Sequence, residues 1–498
     1  MFAANCMVNF DCGGAAAVLD MLTWGCPPDQ APAGAEATYK GDARYPCFDQ
    51  TWKGYLGAAP YVGLIFSCPL VDYSLTNCKA KPVLLGFLML NATATLVLSF
   101  MIGRQELVMC KFVIGLTQGC IAIYAPVWVS AFAPHRHKAL FLGLMQSAAA
   151  IGTLVGYSVC GFLVSGGVYF QWGFRIQAAV LVGVNGLLWC VKGNRYDTHG
   201  AQPEAGPHRR GSLLDALPEE GASLVSLAVD VSGRRRSTAP TFLSAMSGRT
   251  TLVRPPPRAA AAADSADGDE AGGRCTTGQL FREPMYMASL FVLTGLYFVV
   301  NVIQFWASEY FTTVFLRDKA EVTSVFCGVS ATAPILGVVV GSSITDSLGG
   351  LGTHKQVAKI CRVLCVWGLC AAAAGVCAGA VEPHARQEGA SLRFYLVVSA
   401  VWVLLFFGGA LVPSVSVINL EAVPARVRPA ASSFTMMVYT LFGFTPGVLL
   451  PSVLSDRYNL RVAMQVSLSC SPFGVAGLLV CTCIAARRAG RGARKGPP

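Results

Sequence analysis

Five residues set inside otherwise apolar stretches carry the chemistry open to this chain. Asp11 lies midway along Phe2–Leu22, and Lys111 lies one turn into Leu107–Ala131. Gln118 follows on the same stretch, and Asn301 and Gln304 sit a helical turn apart on Met285–Ala307. Charged groups at membrane depth are rare and usually functional, so Asp11 is a candidate proton carrier and Lys111 a candidate anion contact. The competing reading is a structural Asp11–Lys111 ion pair. The amides can bind a solute or hold helices together. Glu309 reads as an outer-rim residue, and Glu421 as a partner of Arg428.

A second group sits at the ends of the apolar stretches. Asp72 ends Cys68-Pro-Leu-Val-Asp72, and Asp346 stands in Ser342-Ser-Ile-Thr-Asp346-Ser-Leu-Gly349. An acid there can face the N-terminus of a helix from the other half, where the helix dipole attracts negative charge. Asp72 and Asp346 are therefore gating candidates. Arg136 and Arg428, at the matching basic ends, join them. Pro429 suits a helix start.

The elements that hold these residues are long apolar helices. The chain has 498 residues, 54% of them hydrophobic and only 13% charged, too little charge to cover a soluble protein of this length. About 20 apolar residues cross a bilayer, and only a helix satisfies its own backbone there while doing so. The first six spans fall at Phe2–Leu22, Trp52–Val71, Pro82–Ile102, Leu107–Ala131, Leu140–Val164 and Ile176–Val191. The second six fall at Met285–Ala307, Val322–Thr345, Val357–Ala380, Phe394–Leu420, Ala430–Leu454 and Val462–Ala485. The fold class is an all-α polytopic membrane protein, with 12 transmembrane helices in two six-helix halves. The halves cover residues 1–191 and 284–486, and a basic tail covers 487–498. Between the halves, 192–283 is rich in Ala, Gly, Pro, Ser and Arg, so disorder is expected. Serines beside its Arg234–Arg236 run are plausible phosphorylation sites.

The net charge of +11 does not point to nucleic acid, because basic residues cluster in alternate loops. The positive-inside rule then places both ends and the central loop in the cytoplasm. The basic tail can also touch anionic membrane lipids. Which membrane holds the chain, plasma or endolysosomal, is not encoded in this pattern.

Among 19 cysteines no pair has zinc-site spacing. Cys26 and Cys47 share the first outer loop and are the candidate disulfide. Neither a hydrolase elbow nor a phosphate loop is present, which argues against an enzyme or an ATP-driven pump. No cofactor or metal is expected.

Several motifs recur in both halves. The Asp72 and Asp346 segments resemble the small-xxx-Asp-(Arg)-x-Gly signature of the major facilitator superfamily. Lys111-Phe-Val-Ile-Gly115-Leu-Thr-Gln-Gly119 resembles that family's Arg-xxx-Gly-xxx-Gly, with lysine for arginine. Gly152, Gly156 and Gly161 resemble its glycine-rich gating face, and Trp172-Gly-Phe-Arg175 its Trp-Arg pair, with Arg461 at the matching place. Within the family, Asn9-Phe-Asp11…Ala17-Val-Leu-Asp20 is similar to the Spinster-like branch, whose members are proton-linked carriers, several of them for lysophospholipids. Here the arginine after the acid is Cys12, and the branch's glutamate on the fourth span aligns with Gln118. The resemblance implies a monomeric carrier that works by alternating access on a small organic solute, lipid-like or anionic, with proton coupling at Asp11. A non-transporting sensor or scaffold, or a uniporter of sugars or other metabolites, is the alternative.

Overall fold

The computed structural model describes residues 1–19, 21–23, 25–27, 46–133, 138–193, 196, 277–349, 353–381, 390–424 and 427–494. Arg136, Asp20 and nearly all of the central loop lie outside them. Among the described residues, eleven helices are long and apolar enough to cross a membrane. They are numbered here as spans 2 to 12, with the interrupted first segment as span 1.

Span 1 departs from the expected continuous helix. It is two short helices, Phe2–Val8 and Phe10–Ala17, separated at Asn9, with a 3₁₀ turn at Met21–Thr23. The Asn9 side chain bonds back to the Asn5 carbonyl at 2.7 Å, a local bond that competes with regular helix.

Spans 2 to 6 are Gln50–Asn77, Ala80–Leu98, Arg104–Phe132, Lys138–Ser165 and Gln171–Cys190. Spans 7 to 10 are Pro284–Thr313, Lys319–Ser347, His354–Ala380 and Ala390–Glu421. Span 11 joins Arg428–Tyr439 to Thr445–Arg457 through a π-helical turn, Thr440–Phe444. Span 12 is Leu460–Ser469 followed by Pro472–Arg494. Asp49 caps span 2 and Asp318 caps span 8, each accepting a backbone N–H in the first turn. These matched caps start equivalent helices of the two halves.

Packing repeats across the halves. Span 2 lies on span 4 and span 8 on span 10. Span 3 lies on span 6 and span 9 on span 12. Glycine sets the closest approaches. A Cβ on Gly115 would run into the Pro60 carbonyl, and one on Gly63 into that of Phe112, so spans 2 and 4 meet backbone to backbone. Gly152 and Gly156 press span 5 against the Cys6 and Phe10 carbonyls of span 1, and Gly13 presses back on Thr153. Gly161 makes only ordinary contact. Arg175 stacks on the rings of Phe100 and Trp172 at 4.8 and 4.7 Å. Lys81 donates to the Trp189 and Val191 carbonyls, both at 2.7 Å, and so closes the C-terminal end of span 6.

Between the halves, span 5 packs on span 8 and span 2 on span 11. The face carrying both chain ends is called the terminal face below, and the opposite one the far face.

Candidate functional site

A cavity of about 240 Å³ lies between the halves, walled by spans 1, 2, 4, 5, 7, 8, 10 and 11. Its wall is mostly apolar and aromatic. Amides interrupt it: Asn5, Asn9, Gln118, Gln146 and Gln304. Gln118 Nε2 donates to Asn9 Oδ1 at 2.9 Å. Gln146 Nε2 donates to Ser416 Oγ on span 10 at 3.0 Å, while its Oε1 is buried without a partner.

Asp11 and Lys111 are brought together, but behind the cavity wall. Lys111 Nζ stands 2.8 Å from Asp11 Oδ2 and 3.0 Å from the Asp11 carbonyl oxygen. Both side chains are buried, and Asp11 Oδ1 has no partner among the described residues. The Lys111 ammonium also lies 5.3 Å from the Phe174 ring centre. Neither residue lines the main cavity, contrary to expectation. Lys111 and Asn301 instead line a satellite void of about 20 Å³, which shares Cys12, Tyr61 and Gln304 with the cavity. That volume suits a single water.

Asn301 is tied up in helix packing. It accepts from the Tyr61 hydroxyl at 2.7 Å and donates to the Phe444 carbonyl at 2.7 Å. Phe444 is the last residue of the π turn and the N-cap of the helix that follows it. Tyr61 stacks on Phe444 with ring centres 4.8 Å apart. One chain of contacts thus joins spans 2, 7 and 11 beside the cavity. Gln304 faces the cavity, as expected.

Two belts of cross-half contacts bracket the cavity. Towards the far face, Lys53 Nζ and Gln50 Nε2 both donate to Glu309 Oε1 at 2.9 Å. Thr51 bonds Asp456, and Ser452 donates to the Gln50 carbonyl at 2.9 Å. Tyr157 and Ser308 share a hydrogen bond of 2.8 Å. Glu309 is therefore a buried ion-pair partner and not a rim residue. Sequence reading missed Lys53 altogether, because a charge one turn inside a span looks like a solvated end. The signal was a basic residue on span 2 and an acid on span 7, each near the far end of its helix.

Towards the terminal face, Ser433 Oγ donates to the Cys68 carbonyl at 3.1 Å, and Ser432 Oγ to that of Ile123 at 3.5 Å. Asp72 lies one turn beyond Cys68 on span 2. Asp346 ends span 8 near Thr345, whose hydroxyl bonds Ser414 at 2.6 Å. Glu421 and Arg428 line one small cleft, with no ion pair between them among the described residues. Between spans 1 and 2, at the far face, Cys26 and Cys47 are joined by a disulfide.

The family model for the Major Facilitator Superfamily matches residues 47–445. The chain belongs to the major facilitator superfamily. It is thus a multi-pass membrane carrier, a secondary transporter that works by alternating access, and not an enzyme. Among solved structures it is similar to the superfamily's proton:xylose symporter XylE, solved with 6-bromo-6-deoxy-D-glucose bound. The TM-score is 0.62 and the identity 14%, over 96% of this chain and 93% of that one. At that identity the likeness shows the fold. No curated protein matches the chain.

Proposed function

We propose that the cavity between the halves is the solute site of this superfamily carrier, and that Asp11 with Lys111 forms its coupling pair. The observation that carries the reading is the position of the cavity. It is walled by both halves and has a belt of cross-half bonds on either side of it. Opening one belt while keeping the other admits the solute to one side only.

In this reading residues 1–191 and 284–486 are the two rocking bodies, joined by the segment 192–283 and followed by the basic tail. The terminal face is cytoplasmic, because the basic loops lie on it. Asp72 and Asp346, together with Arg136 and Arg428, hold that face closed when the cavity opens outward. Gln118 and Gln304 are the solute contacts. Asn301 positions helices around them. The solute is small and organic, and the working unit is a monomer surrounded by lipid.

The coupling role rests on the unpartnered Asp11 Oδ1 and on the satellite void that links Lys111 to the cavity. A proton reaching Asp11 weakens its hold on Lys111. The test is counterflow into proteoliposomes with and without a pH gradient. Accumulation driven by the gradient in the native chain, and lost in Asp11→Asn, supports the coupling pair. Gradient-driven accumulation that survives in Asp11→Asn removes it. Ligand binding with no flux of any bound compound would instead mark a sensor.

A further inference from the structure

No charged side chain lines the main cavity among the described residues. The intramembrane charges nearest to it are already matched in sign: Lys111 with Asp11, and Lys53 with Glu309. Removing a net charge from water requires a counter-charge or a dense set of dipoles, and this wall is chiefly aliphatic and aromatic. The lysine that the sequence offers to an anion is committed to Asp11.

The polar groups left over point the same way. Gln118 uses one of its two N–H groups on Asn9, and Gln146 one of its two on Ser416, so each keeps a second N–H and a carbonyl oxygen. Gln146 Oε1 is buried and has no partner among the described residues. Gln304, from the second half, makes no side-chain hydrogen bond among the described residues and can offer either function. A buried acceptor without a donor is costly, so a fitting ligand brings a donor to Gln146 Oε1. The volume, about 240 Å³, falls just below the roughly 300–1,000 Å³ of drug-sized sites.

We infer that this carrier's substrate is a small, uncharged solute with an apolar body and at least one hydrogen-bond donor, hydroxyl or amide N–H, held between Gln118 and Gln146 of one half and Gln304 of the other. The inference rests on the cavity being the solute site. It differs from the anionic and lipid-like classes expected from the sequence. A solute of this kind bridges the halves through its polar edge and lies against the aromatic wall through its apolar one.

The test is affinity selection with mass spectrometry. The probe is an equimolar mixture of size-matched metabolites, neutral, anionic and cationic at pH 7, applied to the full chain in lipid nanodiscs. Retention of neutral, donor-bearing compounds is expected. Gln304→Leu and Gln146→Leu should each lower it tenfold or more, with the thermal midpoint of the empty protein unchanged. Preferential retention of charged compounds, retention of none, or undiminished retention in both folded variants overturns the inference. Counterflow with the same mixture separates it from the carrier reading. Flux of a charged compound leaves the carrier standing and the uncharged class refuted. Retention of neutral compounds without flux supports the class and removes transport through this cavity.

Discussion

Replacing Glu309 by glutamine leaves the Lys53 ammonium buried without its counter-charge. The two groups stand 2.9 Å apart, with side chains only 3% and 4% exposed. Removing one member of such a pair costs about 3–5 kcal/mol, because the survivor remains desolvated. That cost falls on the conformation closed at the far face. Once spans 2 and 7 separate there, water reaches Lys53 and the penalty disappears. At about 1.4 kcal/mol per tenfold, the closed-to-open ratio should fall by roughly 10²- to 4 × 10³-fold. A cysteine placed at Leu56, buried just below the belt, reports the change through its labelling rate with a membrane-impermeant thiol reagent. Glu309→Gln and Lys53→Met should both label much faster than the Leu56→Cys parent. The double variant Lys53→Met/Glu309→Leu should return towards the parent, since well-packed apolar residues replace a buried ion pair at little cost. Singles that label at the parent rate would refute the reasoning, as would a double variant as open as the singles.

Asp11→Asn should abolish acceleration of uptake by an inwardly directed pH gradient, read as initial rates at matched solute concentration; an unchanged gradient response removes Asp11 from coupling. Gly115→Val should destabilise the chain by about 1–3 kcal/mol or more, because its branched side chain meets the Pro60 backbone. The check is a lowered thermal midpoint in detergent, and an unshifted one contradicts the close approach of spans 2 and 4. Cys26 and Cys47 should react with a maleimide reagent only after reduction, by mass of the labelled peptides. Labelling without reductant argues against the bond.

The order of spans was legible because hydropathy records length and apolarity locally, and a bilayer allows few alternatives to a helix. The Asp11–Lys111 pair was legible for the same reason, since both residues lie deep inside apolar stretches. Span 1 was misjudged at Asn9, where one side chain competes with the backbone and breaks a segment of suitable length. The Lys53–Glu309 pair was hidden by its position, because distance from a helix end says nothing about what another half lays over it. Asn301 shows a further limit. Its place on span 7 suited a solute contact equally well, and only the π turn of span 11 shows where its hydrogen bonds go. Contacts of that kind depend on the docking of elements far apart in the chain, which no local pattern records.

The glycine contacts divide the first half unequally. Span 1 is fastened to span 5 at Gly13, Gly152 and Gly156, while span 2 is fastened to span 4 at Gly63 and Gly115. Each couple moves as a unit, since sliding backbone along touching backbone requires a glycine at every new register. Asp11 belongs to the first couple and Lys111 to the second. The intramembrane ion pair is therefore a clasp between the two couples, and the Gln118–Asn9 hydrogen bond is a second tie beside it.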